Sequence, residues 1–322
     1  MGSIKEIAVG AAMLALGSVP AFGQTPVADH HQHLFSQALA ALISPPSPAA
    51  PVPPTNATQL VSLLDAAGMK WAVVLSTAYI FEQPTRKVDN AYEKVRADND
   101  WTSQQVAQYP DRLVGFCGLN PIKDYALDEL ARCAKDPNLR RGLKLHIGNS
   151  GVDYHDTEHV ERLRQVFRAA NDYRMAIVVH MRASYSQKLA YGRDEALVFL
   201  KELLPLAPDV PVQIAHLAGG GAPADQAAHD ALEVLADAVS RRDPGTAQLW
   251  FDTSGIGVSQ TAEELAFYAR KIRQIGVQRI VYGADTPSGS KLPLLGAWAA
   301  FRKLPLSEEF RTIATNLAPY MR

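Results

Sequence analysis

The sequence predicts an α/β protein of the (β/α)8 TIM-barrel class, because short apolar runs alternate with amphipathic helical stretches along almost the whole chain. The runs typical of strands are 27–33, 71–76, 113–119, 142–146, 176–180, 212–216, 249–253 and 280–283. The helical patterns between them are 57–67, 90–108, 126–134, 159–172, 193–204, 226–241, 263–276 and 294–303. This alternation indicates parallel strands joined by right-handed crossovers, and eight such units in 322 residues favour a closed barrel.

An open doubly wound sheet is the main alternative architecture. It would carry a glycine-rich phosphate-binding turn after its first strand, and no such turn follows residue 33. The glycines at 219–221 follow a later strand without the fingerprint spacing, so we attribute them to close packing or substrate access. Residues 43–55 are rich in Pro, Ala and Ser and should run extended, either as a surface insertion or as a partial lid.

The N-terminus has the pattern of a secretory signal peptide over residues 1–23. Lys5 supplies a positive charge, an apolar run covers 7–19, and small residues precede a cleavage point after Gly23. A buried first helix is the alternative. The signal predicts a periplasmic or secreted protein, with one barrel domain over 24–322. We expect no membrane anchor after cleavage, because no later apolar segment is long enough to span a bilayer.

Composition narrows the classes of partner. The chain is 47% hydrophobic and 20% charged, with a net charge of −1, and it has no basic stretch, so neither nucleic acid nor an anionic membrane surface is expected as a partner. We expect a small-molecule substrate, and the sequence does not decide whether the protein is a homo-oligomer.

The two cysteines, Cys117 and Cys133, lack a CxxC spacing. We expect buried, inert thiols, with a disulfide as the less favoured alternative.

Side chains that bind metals recur at the ends of the predicted strands. The first strand ends in His31 and His33, which share one face because residues two apart in a strand point the same way. The fourth strand directs Lys144 and His146 to one face and its leucines to the other. Three later strands end in the remaining candidates, which are His180, His216 and Asp285. We expect all of these at the carboxyl-terminal mouth of the barrel, where strand ends converge.

Each histidine alone can be explained as an ordinary buried histidine, and Asp285 alone as a turn residue. Their occurrence together at one end of the barrel needs a further explanation. Several imidazoles and a carboxylate crowded at one end of a barrel are costly unless a cation organises them. Lys144 adds a cationic amine that burial disfavours. It can pair with a carboxylate, or react with carbon dioxide to give a carbamate that could bridge two metals.

These motifs together resemble the amidohydrolase superfamily, and within it the amidohydrolase 2 branch, which includes hydrolases, lactonases, hydratases and decarboxylases. The resemblance extends from residue 28 to the end of the chain. It is carried by Asp29-x-His31-x-His33, Gly-Leu-Lys144-Leu-His146, His180, His216-Leu-Ala-Gly-Gly, Phe-Asp252-Thr-Ser-Gly, Gly-Ala-Asp285-Thr-Pro and Asn316-Leu-Ala.

The resemblance implies a metal site. His31, His33, His180 and Asp285 would hold one divalent metal, usually Zn²⁺ and sometimes Mn²⁺. Lys144, carboxylated or not, and His216 could add a second metal. His30 belongs to no ligand pattern, and we interpret it as structural.

The chemistry expected at such a site is hydrolysis of an amide, lactone or ester by activated water. Asp285 would take the proton from the water, and His216 would bind a second metal or orient the water. The candidate substrate contacts are Arg182, His146, Tyr79 and Arg86, with Phe81, Tyr185 and Tyr191 nearby in the sequence. Arginine beside aromatic residues indicates a small substrate with a carboxylate or another planar anion. A decarboxylase on the same scaffold is the main alternative, and a metal-binding module without catalysis is a third.

Overall fold

A computed structural model describes residues 24–45, 51–286 and 293–321. Within them, eight parallel strands follow one another around the sheet in chain order. They are β1 (Ala28–Gln32), β2 (Trp71–Leu75), β3 (Leu113–Gly118), β4 (Gly142–His146), β5 (Ala176–His180), β6 (Val212–Ile214), β7 (Leu249–Asp252) and β8 (Ile280–Val281). The segment after β8 returns to β1, where Thr286 bridges Gln32 and the Tyr282 carbonyl accepts from the His30 amide at 2.8 Å. The predicted (β/α)8 TIM barrel is confirmed.

The helices between the strands are α1 (Gln37–Ile43), α2 (Ala57–Ala67), α3 (Ala91–Ala107), α4 (Ala126–Lys135), α5 (Ile147–Ser150), α6 (Thr157–Asp172), α7 (Arg193–Val198), α8 (Gln226–Arg241), α9 (Ala262–Ile275), α10 (Leu294–Phe301) and α11 (Glu309–Thr315). Helices α2 and α8 begin and end as predicted, and α2 has the capping box that Asn56 and Gln59 form at its first turn.

Some element boundaries were predicted wrongly. The helix predicted over 193–204 is α-helical only to Val198, continues as a π-helix to Leu203 and ends in a 3-10 turn over Leu204–Leu206. Pro205 in that turn has no amide hydrogen to continue the ladder. Helices α1, α5 and α11 were not predicted at all.

Side chains of the strands alternate between the inside of the barrel and the helices outside it. Inside, Leu75, Phe116 and Val178 pack against Tyr320 near the C-terminus, which closes the amino-terminal end of the barrel. Leu143 and its neighbours at odd positions of β4 face the helices. The even positions of β4 therefore face inward, which is the face that the sequence predicted for Lys144.

The expectation of free thiols was wrong. Cys117 and Cys133 form a disulfide that joins β3 to α4, with the two Cα atoms 6.1 Å apart. Cys117 faces the helices and Cys133 lies on the buried face of α4, so packing of this helix on the barrel brings the two sulfurs together.

The predicted signal peptide, residues 1–23, lies outside the described residues, as do residues 46–50 of the proline-rich segment. Residues 51–54 have no regular structure, and Thr55 bridges Phe35. Among the described residues, none of the helices is both long and apolar enough to span a bilayer.

Candidate metal centre

A cavity of about 240 Å³ opens at the carboxyl ends of the strands. It is lined by His31, His33, Thr77, Tyr79, Ile80, Lys144, His146, Asn149, His180, His216, Gly220 and Asp285. All six predicted metal ligands are therefore brought together here, along with two of the four predicted substrate contacts, His146 and Tyr79. The barrel brings these six ligands from five different strand ends into one small space.

Three of these histidines present the same nitrogen to the cavity because their other nitrogen is already hydrogen-bonded. The Nδ1 of His33 donates to the Leu75 carbonyl at 2.7 Å, and the Nδ1 of His216 donates to the Ser254 carbonyl at 3.1 Å. The Nδ1 of His31 lies 2.9 Å from a carboxylate oxygen of Asp252. A neutral imidazole that donates through Nδ1 has a lone pair on Nε2, which is the form that binds a metal.

Two of the predicted ligands lie on backbone of unusual conformation. His216 and Asp285 both have φ of +55°, in the left-handed region that residues other than glycine seldom adopt. The His216 amide donates to Asp252 Oδ1 at 3.0 Å, and the Asp285 amide donates to the His31 carbonyl at 2.8 Å. These bonds hold both turns, and the turn at 216–218 is why β6 ends at Ile214, earlier than predicted.

The donor atoms fit a divalent cation. The Asp285 carboxylate lies 3.1 Å from His33 Nε2, 3.6 Å from His31 Nε2 and 4.0 Å from His216 Nε2. Burial opposes the negative charge of this carboxylate, and a cation beside it would offset that cost. A carboxylate that faces imidazole lone pairs in a buried site is stabilised when a cation lies between them. The residues present therefore suit a metal with nitrogen and oxygen ligands.

Lys144 lies beside these ligands. Its Nζ is 3.2 Å from His31 Nε2, and its side chain is only 1% exposed. Burial lowers the pKa of the amine to about 8, and the carboxylates of Asp285 and Asp252 limit the decrease. The amine donates into the ligand group, and Lys144 is thus close enough to take part in metal binding.

His180 lines the cavity next to the tightest donor group. The ligand atoms of His31, His216 and Asp285 all lie within 4.8 Å of one another, and His180 is not among them. Its ring stacks on His146 with centroids 3.9 Å apart and meets His216 edge-on at 4.8 Å. Its role as a ligand stays a prediction.

Asp252 organises the site, although sequence reasoning gave it no role. This fully buried carboxylate accepts hydrogen bonds from His31 Nδ1, the His216 amide, Gln213 Nε2 at 2.7 Å, and Ser254. Burial would raise its pKa, but His31 and the donors around it hold the pKa well below its usual range. The only sequence signal was its place at the end of β7, within the Phe-Asp-Thr-Ser-Gly motif.

Two predicted substrate contacts lie elsewhere. Arg182 donates from Nε to Asp225 at 2.9 Å, and its guanidinium lies 3.9 Å from the ring centroid of Tyr185 and 4.9 Å from that of Tyr191. Arg86 is exposed and donates to the Leu42 carbonyl at 2.7 Å. Neither arginine is among the described residues that line the cavity.

The predicted structural role of His30 is confirmed, because its two nitrogens bond to the Tyr282 carbonyl and the Ala318 amide.

Solved structures of low sequence identity share this fold. The 5-carboxyvanillate decarboxylase of Sphingomonas paucimobilis is 17% identical, with a TM-score of 0.62 over 90% of this chain and 96% of that one. A second such decarboxylase, from Novosphingobium aromaticivorans and solved with bound manganese, is 14% identical, with a TM-score of 0.59 over 93% and 97%. A Pseudomonas putida protein provisionally assigned as a 2-pyrone-4,6-dicarboxylic acid hydrolase is 19% identical, with a TM-score of 0.60 over 92% and 96%.

No curated protein matches the chain. The amidohydrolase family model matches residues 28–312, which covers all eight strands and every predicted site residue. The chain is therefore a member of the amidohydrolase family.

Proposed function

We propose that this protein is a metal-dependent hydrolase that acts on an amide, lactone or ester bond of a small, carboxylate-bearing substrate. The observation that carries the proposal is the set of three imidazole Nε2 atoms turned toward one carboxylate, Asp285, in a small cavity. Zn²⁺ is the metal we favour, with Mn²⁺ as the second choice, because the donors are nitrogen and oxygen. His31, His33, His216 and Asp285 would hold it, with His180 and Lys144 within reach.

When bound, a metal of this kind lowers the pKa of water toward about 7 and polarises the bond under attack. The residues of the chain supply the other functions. The Asp285 carboxylate borders the cavity, so it can take a proton from the attacking water and give it to the leaving group. Asp252 keeps His31 and the turn at His216 in place throughout.

Lys144 bears on the number of metals. Its buried Nζ lies beside His31 Nε2, where a carbamate formed from the amine and carbon dioxide would present oxygen atoms to a second ion. Two metals would favour hydrolysis, and one metal with an unmodified lysine would leave decarboxylation equally supported.

Decarboxylation is the second candidate. Two of the solved structures of similar fold described above are aromatic-acid decarboxylases, and one of these contains manganese. In that reaction the substrate carboxylate and an adjacent oxygen would bind a metal on the same ligands, and an acid near the cavity would protonate the carbon that loses carbon dioxide.

One experiment separates the two. Metal-loaded protein is incubated in ¹⁸O-labelled water with two panels of compounds. The first panel contains lactones and esters of aromatic acids, and the second contains hydroxybenzoates with free carboxylates. The proposal predicts one ¹⁸O atom in the product acid, no release of carbon dioxide, and a rate about 10² to 10⁴ lower in Asp285→Asn. If compounds of the second panel release carbon dioxide and no product takes up ¹⁸O, the protein is a decarboxylase and the proposed hydrolase activity is wrong.

We also propose that the chain is exported and cleaved after Gly23. The disulfide between Cys117 and Cys133 agrees with an oxidising compartment. Expression in a Gram-negative host, followed by N-terminal sequencing of the periplasmic fraction, should give a chain that begins at Gln24. An intact N-terminus in the cytoplasmic fraction would count against export.

A further inference from the structure

The cavity has a second polar wall that the metal ligands do not form. It comprises Thr77 after β2, His146 at the end of β4 and Asn149 on α5, and we call these three residues the donor subsite. Tyr79 provides an aromatic side to the same space, with its ring centroid 5.3 Å from that of His146. A bound molecule would therefore meet this wall and the metal centre together.

A chain of hydrogen bonds determines which end of the Asn149 amide faces outward. Arg86 Nε donates to Gln83 Oε1 at 2.9 Å, which leaves Gln83 Nε2 to donate to Asn149 Oδ1 at 3.3 Å. Because Oδ1 is occupied as an acceptor, the Nδ2 hydrogens remain for a ligand. Among the described residues no acceptor bonds to Asn149 Nδ2. Arg86, predicted as a substrate contact, thus fixes the polarity of the subsite from outside the cavity.

The proton of His146 is located by similar reasoning. The Asn149 amide donates to His146 Nδ1 at 3.1 Å, so this nitrogen accepts and the imidazole hydrogen is on Nε2. His146 is thus a donor, the reverse of the three metal-facing histidines. The two kinds of histidine divide the cavity into an electron-pair side and a hydrogen-donating side.

Thr77 completes the wall. It is 2% exposed, and its hydroxyl has no hydrogen-bond partner among the described residues. A buried hydroxyl without a partner is costly, and such groups in an enzyme cavity often gain their partner from a ligand. The hydroxyl, the amide and the imidazole N–H are all neutral and can all donate.

We propose that the donor subsite binds the oxyanion of the substrate, a carboxylate or an equivalent planar oxygen group, through neutral donors and without arginine. This proposal rests on the proposed function, since it places the bound group beside a reactive metal centre. Arg182, the cationic alternative, is already paired with Asp225. The cavity has the volume of about eight water molecules, which suits a ring the size of benzoate.

The test is a calorimetric titration of metal-loaded protein with benzoate and with its neutral analogue benzamide. Variants are Asn149→Leu and the matched control Asn171→Leu, at a half-buried asparagine that pairs with Asp209 outside the cavity. We expect Asn149→Leu to bind benzoate about tenfold or more weakly and to lose the preference for benzoate over benzamide, and the control to change less than twofold. A second variant, Arg86→Met, leaves the cavity lining intact and should reduce benzoate affinity severalfold.

Metal content is measured on the same samples, so that the two proposals fail separately. If Asn149→Leu and Arg86→Met retain the metal and bind benzoate as tightly as wild type, the donor subsite is wrong. The proposed hydrolase function is not affected by that result. Protein that takes up no metal but still binds benzoate in a way that depends on Asn149 would support the subsite and contradict the metal-dependent function.

Discussion

Asp252 Oδ2 lies 2.9 Å from Nδ1 of His31, so a carboxylate at the end of β7 sets the tautomer of a metal-facing histidine on β1. The contact is fully buried on both sides. It connects two strands on opposite sides of β8, and it makes the proposed metal site depend on a residue that is not part of the cavity lining.

Asp252→Asn should weaken metal binding about 10- to 100-fold while the fold persists, because the amide keeps the shape but no longer fixes the His31 proton on Nδ1. A chelator-competition titration measures the affinity, with circular dichroism to confirm folding. The control is Asp194→Asn, an exposed position on α7. Equal affinity in Asp252→Asn and wild type would show that the carboxylate is not needed to orient the histidine.

Tyr320→Phe should also lower metal affinity, but only severalfold. The Tyr320 hydroxyl donates to Gln213 Oε1, and Gln213 Nε2 donates to Asp252 at 2.7 Å, so its loss frees Gln213 to leave Asp252. Tyr282→Phe is the control, because it removes a buried hydroxyl that donates to the Leu294 carbonyl instead. The same competition titration applies, and an equal loss in both variants would argue against this relay.

Removing the disulfide should destabilise the fold. The bond closes a loop with a sequence separation of 16 residues, for which chain entropy predicts about 3 kcal/mol. Urea unfolding of the double variant Cys117→Ala/Cys133→Ala should show a lower midpoint. Thiol titration of unfolded, unreduced wild type should find no free cysteine, and two reactive thiols would contradict the pairing.

Asp98 should make stability depend on pH. Burial raises the pKa of this carboxyl from 3.8 to about 6, and the hydrogen bond from Ser36 limits the increase. A raised pKa means that the folded state holds the proton more tightly, so this contribution to stability is present below pH 4 and is lost as pH rises to about 6. Asp98→Asn should therefore be up to about 3 kcal/mol more stable than wild type at pH 7.5 and nearly equal at pH 4. A difference that does not change with pH in urea unfolding would refute this assignment.

The sequence predicted the barrel and the assembly of its ligands because both depend on local patterns. Apolar periodicity located the strands, and alternation along them placed Lys144 inward and its leucines outward. What it missed depends on tertiary contacts. The strand through His216 was predicted two residues too long because a left-handed turn, held by Asp252, begins there. Nor could one sequence show that Arg182 faces Asp225, 43 positions away, or that Asn149 faces the cavity.

The measurement that tests the central claim most directly is the metal content per chain of protein purified without chelators, for wild type, Asp285→Ala and Lys144→Met. We predict at least one Zn²⁺ or Mn²⁺ per chain in wild type and its loss in Asp285→Ala. If Lys144 bridges a metal pair, wild type has two ions and Lys144→Met has one or none. Wild-type protein with no tightly bound metal, or Asp285→Ala with undiminished metal, would contradict the account.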